Sequence, residues 1–199
     1  SATGMRLATI QLDPLGLHDP TGVTVEPVSG NLFVADQGEK RIYRLSPQGN
    51  LFGSFSTTAA GCLYPGALAW KNNEGLIIVG DAHALRVYLF NPAGNLIRSH
   101  SLQQTPLDLE WDSSEELLWL VPEGRDRVYG YEFEDDHGET ELKEEETEHY
   151  QDMAPLLKDL PMQALARKGN SGYLLFGPHG LMIETDHNWQ AQQARELGL

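Results

Sequence analysis

Two stretches of the chain align without a gap at an offset of 45 residues. The first runs from Asp19 to Phe55 and the second from Tyr64 to His100. Pro20 falls on Pro65, Asp36 on Asp81, Arg41-Ile42 on Arg86-Val87, and Gly49-Asn50-Leu51 on Gly94-Asn95-Leu96. A third copy follows at an offset of 41, placing Pro106 on Pro65 and Arg127-Val128 on Arg86-Val87. A fourth, looser copy starts at Leu160 and keeps Pro161, the apolar run Tyr173 to Phe176 and the polar turn Asp186-His187-Asn188. A chain built this way folds as stacked units, because each unit needs its neighbours to bury its apolar face.

Each unit reads as four short strands. The first covers Val23 to Val25, Leu68 to Trp70, Leu107 to Trp111 and Ala164 to Ala166. The second is more continuously apolar, at Leu32 to Ala35, Leu76 to Val79, Leu117 to Val121 and Tyr173 to Phe176. Such runs suit strands covered on both faces. The third alternates at period two, as in Ile42-Tyr43-Arg44-Leu45. A Ser-Pro-Gln-Gly-Asn or Asn-Pro-Ala-Gly-Asn turn then leads to a more polar outer strand. Four strands in roughly 40–45 residues is the period of a β-propeller blade.

The spacing therefore predicts an all-β propeller of about four four-stranded antiparallel blades in a single domain over residues 1–199. The blades fall at about 19–60, 64–103, 105–150 and 160–199. A strand at 5–13 reads as the outer strand of a preceding or closing blade. The segment Gln190 to Leu197 reads as the last outer strand, although Asn188 and WQAQQAREL also fit a capped helix. Trp70, Trp111, Trp119 and Trp189 are placed on strands, packing the core.

Composition narrows the function classes. The net charge of −15 argues against nucleic acid, whose phosphates need a basic face. Ten Asp or Glu and one Lys lie between Glu132 and Glu148, which reads as a solvated, mobile stretch. No apolar run approaches the length of a membrane-spanning helix. The start, SATGMRLATI, lacks the basic-then-apolar layout of a secretory signal. A single cysteine, Cys62, forms no internal disulfide, and the spacing pairs no histidine with it as a nucleophile.

The repeat resembles NHL-type propellers and the related gluconolactonase and SdiA-regulated propellers. The residues that carry the likeness are the start at Pro20, Gly22 and Val23, the segment NLFVADQGEKRIYRL, and Asp81 with Arg86-Val87-Tyr88. The resemblance implies a channel face formed by the loops before the first strand and after the second. On it would stand His18, Asp19, Tyr64, His83, Asp126, Gln163 and His179 as binding residues. Asp36, Asp81, Asp108 and Glu123 would be oxygen ligands for calcium. The same column at Asp36 and Asp81 also fits a structural reading, in which a repeated carboxylate caps loop amides. Relatives of the amidating-lyase type use channel histidines, so His18, His83 and His179 are a further zinc candidate. The Glu that gluconolactonase-like relatives carry beside the Pro/Gly start is Thr21 here, with Gly66, Leu107 and Met162 in the matching positions.

Two functions are thus expected. The first is a non-enzymatic scaffold binding a protein or small-molecule ligand at the channel face. The second is a calcium-dependent hydrolase or lactonase of the gluconolactonase kind. The resemblance favours an extracytoplasmic compartment. An arc with apolar flanks needs covering, either by closing on itself or by forming a homodimer that completes an open ring.

Overall fold

A computed structural model gives the fold and describes residues 9–123, 127–133, 150–152, 163–167, 172–177 and 181–196. It contains four antiparallel sheets of four strands, each built from consecutive strands in chain order. The first sheet is β1 (Pro20–Val25), β2 (Leu32–Asp36), β3 (Arg41–Leu45) and β4 (Leu51–Ser56). The second is β5 (Pro65–Lys71), β6 (Leu76–Asp81), β7 (Arg86–Phe90) and β8 (Leu96–Ser101). The third is β9 (Pro106–Asp112), β10 (Leu117–Pro122), β11 (Arg127–Glu132) and β12 (Tyr150–Asp152). The fourth is β13 (Ala164–Arg167), β14 (Tyr173–Phe176), β15 (Leu181–Thr185) and β16 (Ala191–Glu196). The last outer segment is a strand, paired to β15 from Leu181–Glu196 to Thr185–Ala191.

The local chemistry repeats with the sequence. In the turn between β3 and β4, Ser46 Oγ accepts the N–H groups of Gln48 and Asn50. Between β7 and β8, Asn91 Oδ1 accepts those of Ala93 and Asn95. Gly49 and Gly94 close these turns at φ of 87° and 89°, where a side chain is strained. Strands β6 and β10 are buried along their whole length, whereas β4 is almost wholly exposed.

Apolar layers lie between successive sheets. Phe33, Ala35 and Ile42 of the first sheet pack on Leu68, Ile77, Val79 and Tyr88 of the second. Ala67, Ile78 and Leu89 pack on Leu109, Leu118 and Leu120 of the third. Trp119, Val121 and Val128 meet Leu165, Tyr173 and Leu175 of the fourth. Trp189 belongs to this last layer but does not sit on a strand. It occupies the turn between β15 and β16 at a φ of 61°, stacked on Tyr173 with ring centroids 4.0 Å apart. The bonds that the Asp186 carboxylate accepts from the N–H groups of Asn188 and Gln190 hold that turn.

The expected N-terminal strand departs from expectation in its described part. Residues 9–12 form no strand, and Asp13–Leu15 form a single 3-10 turn closed by Gly16. This segment packs instead on the flank of the first sheet, with Ile10, Leu12 and Leu15 against Leu17, Val34, Tyr43 and Leu45. Residues 5–8, Asp126, His179 and residues 134–148 of the acidic stretch lie outside the described residues. No helix among the described residues is long and apolar enough to cross a membrane.

Candidate functional site

Strands β1, β5, β9 and β13 are the innermost strands of their sheets, and all four border one open cavity of about 640 Å³. The spacing between them is set by small side chains. A Cβ on Gly22 would stand 2.2 Å from the carbonyl oxygen of Gly66, so β1 approaches β5 too closely for any side chain there. In the second sheet the same column is Ala67, and two residues on it is Ala69, both buried against the third sheet.

The third sheet breaks this rule. Where the first sheet has Gly22 and Thr24 and the second has Ala67 and Ala69, β9 carries Asp108 and Glu110. Their neighbours Leu109 and Trp111 point into the layer shared with the second sheet. The carboxylates therefore face the fourth sheet and the cavity. Asp108 Oδ2 accepts the N–H of Leu165 at 2.7 Å, and Glu110 accepts a backbone bond from Arg167. Asp112, next in the row, accepts the Tyr173 hydroxyl at 2.5 Å and pairs with Arg167 Nη1 at 2.5 Å. Arg167 reaches on to Ser114 Oγ at 2.8 Å. Three acidic residues at period two thus join the third and fourth sheets through polar bonds. These bonds add to the apolar layer that Trp119, Val121 and Val128 form with Leu165, Tyr173 and Leu175 at the same junction.

Burial, set against the bonds from Leu165 and Leu109, raises Asp108 to about 6. Burial and the neighbouring Asp108 charge push Glu110 to about 8. Two carboxylates side by side cannot both ionise cheaply, so the pair holds a proton near neutrality. Both folded values lie above the unfolded ones, near 4. Their ionisation therefore costs stability, progressively, as pH rises from about 4 through about 8. Asp112 goes the other way. Burial would raise it, but the bonds from Tyr173 and Ser114 and the Arg167 charge outweigh that and hold it below its ordinary value.

The expected channel residues divide into two repeated clusters. Asp36 is fully buried; its Oδ2 accepts the N–H groups of His18 and Asp19 at 2.6 and 2.9 Å, and its Oδ1 that of Glu39 at 2.8 Å. Asp81 does the same one unit later. Its Oδ2 takes the N–H groups of Leu63 and Tyr64, and its Oδ1 those of His83 and Ala84, at 2.8 to 3.1 Å. In both, burial raises the pKa but the amide bonds prevail and hold it below the usual value. These carboxylates fasten the loop that enters each sheet to the loop that leaves its second strand.

Tyr64 and His83 meet edge to face at 4.4 Å above Asp81. Gln163 is exposed, with its N–H on the Phe176 carbonyl. Glu123 is exposed just beyond β10. Asp108 stands apart from Asp36 and Asp81, in the cavity. Among the described residues, no three His, Cys, Asp or Glu side chains come together as a metal-holding group. Cys62 is fully buried, and burial with the nearby Asp81 charge pushes its thiol up to about 12, so it stays protonated. Glu110 and Arg167 were not singled out from the sequence. The signal for them is the period-two run Asp108-x-Glu110-x-Asp112 in a column that is otherwise Gly-x-Thr or Ala-x-Ala.

Two outcomes follow from this geometry. Replacing Asp81 with Ala leaves four loop amides without their acceptor and lowers stability by roughly 1–3 kcal/mol. The loss shows as a lower urea midpoint, and an unchanged midpoint contradicts the capping role. Replacing Glu110 with Gln removes a group whose ionisation costs stability. The melting-temperature gain of Glu110→Gln over the parent chain therefore grows between pH 5 and pH 8 in scanning calorimetry, in line with the folded value of about 8. A gain that is flat with pH contradicts the raised Glu110 value.

No family model matches the sequence, and no curated protein matches it either. Solved structures do. Virginiamycin B lyase from Staphylococcus aureus is 11% identical with a TM-score of 0.56, over 90% of this chain and 56% of that one. Hydrazine synthase from Kuenenia stuttgartiensis is 13% identical with a TM-score of 0.57, over 96% of this chain and 52% of that one. A streptogramin B lyase structure is 13% identical with a TM-score of 0.55, over 89% and 54%. The chain spans about half the length of these structures. At such identities the likeness concerns the fold alone. Together with the four sheets and their shared cavity, it shows that this chain is built of β-propeller blades.

Proposed function

We propose that the chain is a binding scaffold whose inner-strand cavity takes a small polar ligand bearing amine or hydroxyl donors. The observation that carries this reading is the replacement of Gly/Thr and Ala/Ala by Asp108 and Glu110 at one inner junction. An apolar or small pair there would pack as the other sheets do, at no desolvation cost. Both carboxylates border the cavity, and each also accepts a β13 amide. Trp70, stacked on Phe33, borders the same cavity, and Asn72 and Thr24 add polar groups.

Calcium-dependent hydrolysis is less well supported. Asp36 and Asp81 commit both oxygens to backbone amides, which leaves Asp108 and Glu123 far short of a calcium oxygen shell.

Trp70 gives a direct readout. Titrations with neutral sugars, amino sugars and short diamines are followed by indole N–H shifts in NMR. The reading expects saturable shifts of the Trp70 signal with a donor-bearing ligand, lost in the Asp108→Asn/Glu110→Gln variant. Equal binding by that variant, or no response across the panel, contradicts it. A melting temperature that falls on adding EDTA would instead favour a resident metal.

A further inference from the structure

The flank of the first sheet repeats, residue by residue, the flank of the second that faces the first. At the 45-residue offset, Leu17, Val34, Tyr43 and Leu45 stand where Cys62, Val79, Tyr88 and Phe90 stand. The N-terminal segment completes the match. Ile10 stands where Phe55 stands and Leu15 where Ala60 stands. A Cβ on Gly49 would meet Ile10 at 2.8 Å, as one on Gly94 would meet Phe55 at 2.5 Å. The 3-10 turn Asp13–Leu15 matches the one at Thr58–Ala60, and Gly16 and Gly61 end them at the same φ of 87°. Residues 10–17 thus occupy the place held, one junction later, by the outer strand and connecting turn of the neighbouring sheet.

The match stops at the inner half of the flank. Phe33, Ala35 and Ile42, which cover Leu68 and Trp70, have no counterpart among the described residues beside β1. Val23 and Val25, the equivalents of Leu68 and Trp70, are accordingly 59% and 47% exposed. The fourth sheet carries the missing set. Its strand pairing puts Leu174 and Phe176, both half-buried, in the positions of Phe33 and Ala35, and Met182, 5% exposed within the chain, in that of Ile42. Its β16 puts Arg195 where Phe55 lies and where Ile10 lies against the first sheet.

We propose that the first-sheet flank is an assembly surface for the fourth sheet of a second copy of this chain, and that residues 10–17 are a cap competing for it. Docked head to tail, Leu174 of one copy covers Val25 of the next, as Phe33 stacks on Trp70 within the chain. The outer strand of the docking sheet and the segment around Ile10 need the same place, so the cap must release first. Each copy carries −15, so their repulsion weakens the contact and salt strengthens it.

Three chains are compared by light scattering after gel filtration: the parent, Ile10→Asp, and Ile10→Asp/Leu174→Glu. The parent should run as a single chain at low concentration. Ile10→Asp should associate, more tightly in added salt, and the double variant should return to single-chain mass. An Ile10→Asp chain with parental circular dichroism that stays single at high concentration and salt overturns the proposal, as does a double variant that still associates. If Ile10→Asp does not fold, single variants Val25→Cys and Leu174→Cys are mixed under mild oxidation, Cys62 being buried. A mixed disulfide formed in clear excess over either self-disulfide is the expected result. A statistical mixture of the three overturns it.

Discussion

The distance between neighbouring inner strands governs this molecule. Each sheet is flat enough to stack only if the residues facing its neighbour along the inner strand are small or can bond across the gap. Gly22 is the extreme case, because the carbonyl of Gly66 occupies the space of a side chain. Ala67 and Ala69 meet the same limit one sheet later with buried methyl groups. At the third junction the limit is met by hydrogen bonding, with Asp108 and Glu110 reaching the amides of β13. The cavity bordered by all four inner strands lies against that junction, where Asp108 and Glu110 bond the β13 amides.

The inner strands would not stay in register without the loops above them. Asp36 and Asp81 each collect amides from two loops far apart in sequence and tie the entry of a sheet to the end of its second strand. A buried carboxylate meeting three or four N–H groups is stable as the anion, and so it can be repeated from sheet to sheet without a counter-charge. The third sheet has Pro122 in this column. At the other end of β9, Asp112 grips Arg167 and Tyr173 of the next sheet. The acidic row on β9 therefore has both a structural end and a cavity-facing pair.

The repeat made the architecture readable. Matching columns placed every strand pair of the first two sheets, and the offset of 41 carried the pattern into β9, β10 and β11. The repeated Asp column also pointed to capping, since a residue that recurs in each unit answers a need of the unit. Glu110 and Arg167 were hidden for the opposite reason. They matter because they depart from the repeat, and a departure shows only when inner-strand columns are compared side by side. Trp189 was misplaced on a strand because its role comes from Asp186 closing a turn and from Tyr173 lying flat against the ring. The strand expected over residues 5–13 failed in its described part because strand pairing needs a partner, which sequence alone does not supply.

The central claim is that Asp108 and Glu110 are buried carboxylates at the cavity, with Glu110 holding its proton near neutrality. Carboxyl carbon-13 shifts of the labelled chain, followed from pH 3 to pH 9 and assigned with Asp108→Asn and Glu110→Gln, test it most directly. Glu110 should titrate near 8 and Asp108 near 6, and removing Asp108 should lower Glu110. Two independent titrations at the ordinary carboxylate value near 4 would contradict the account.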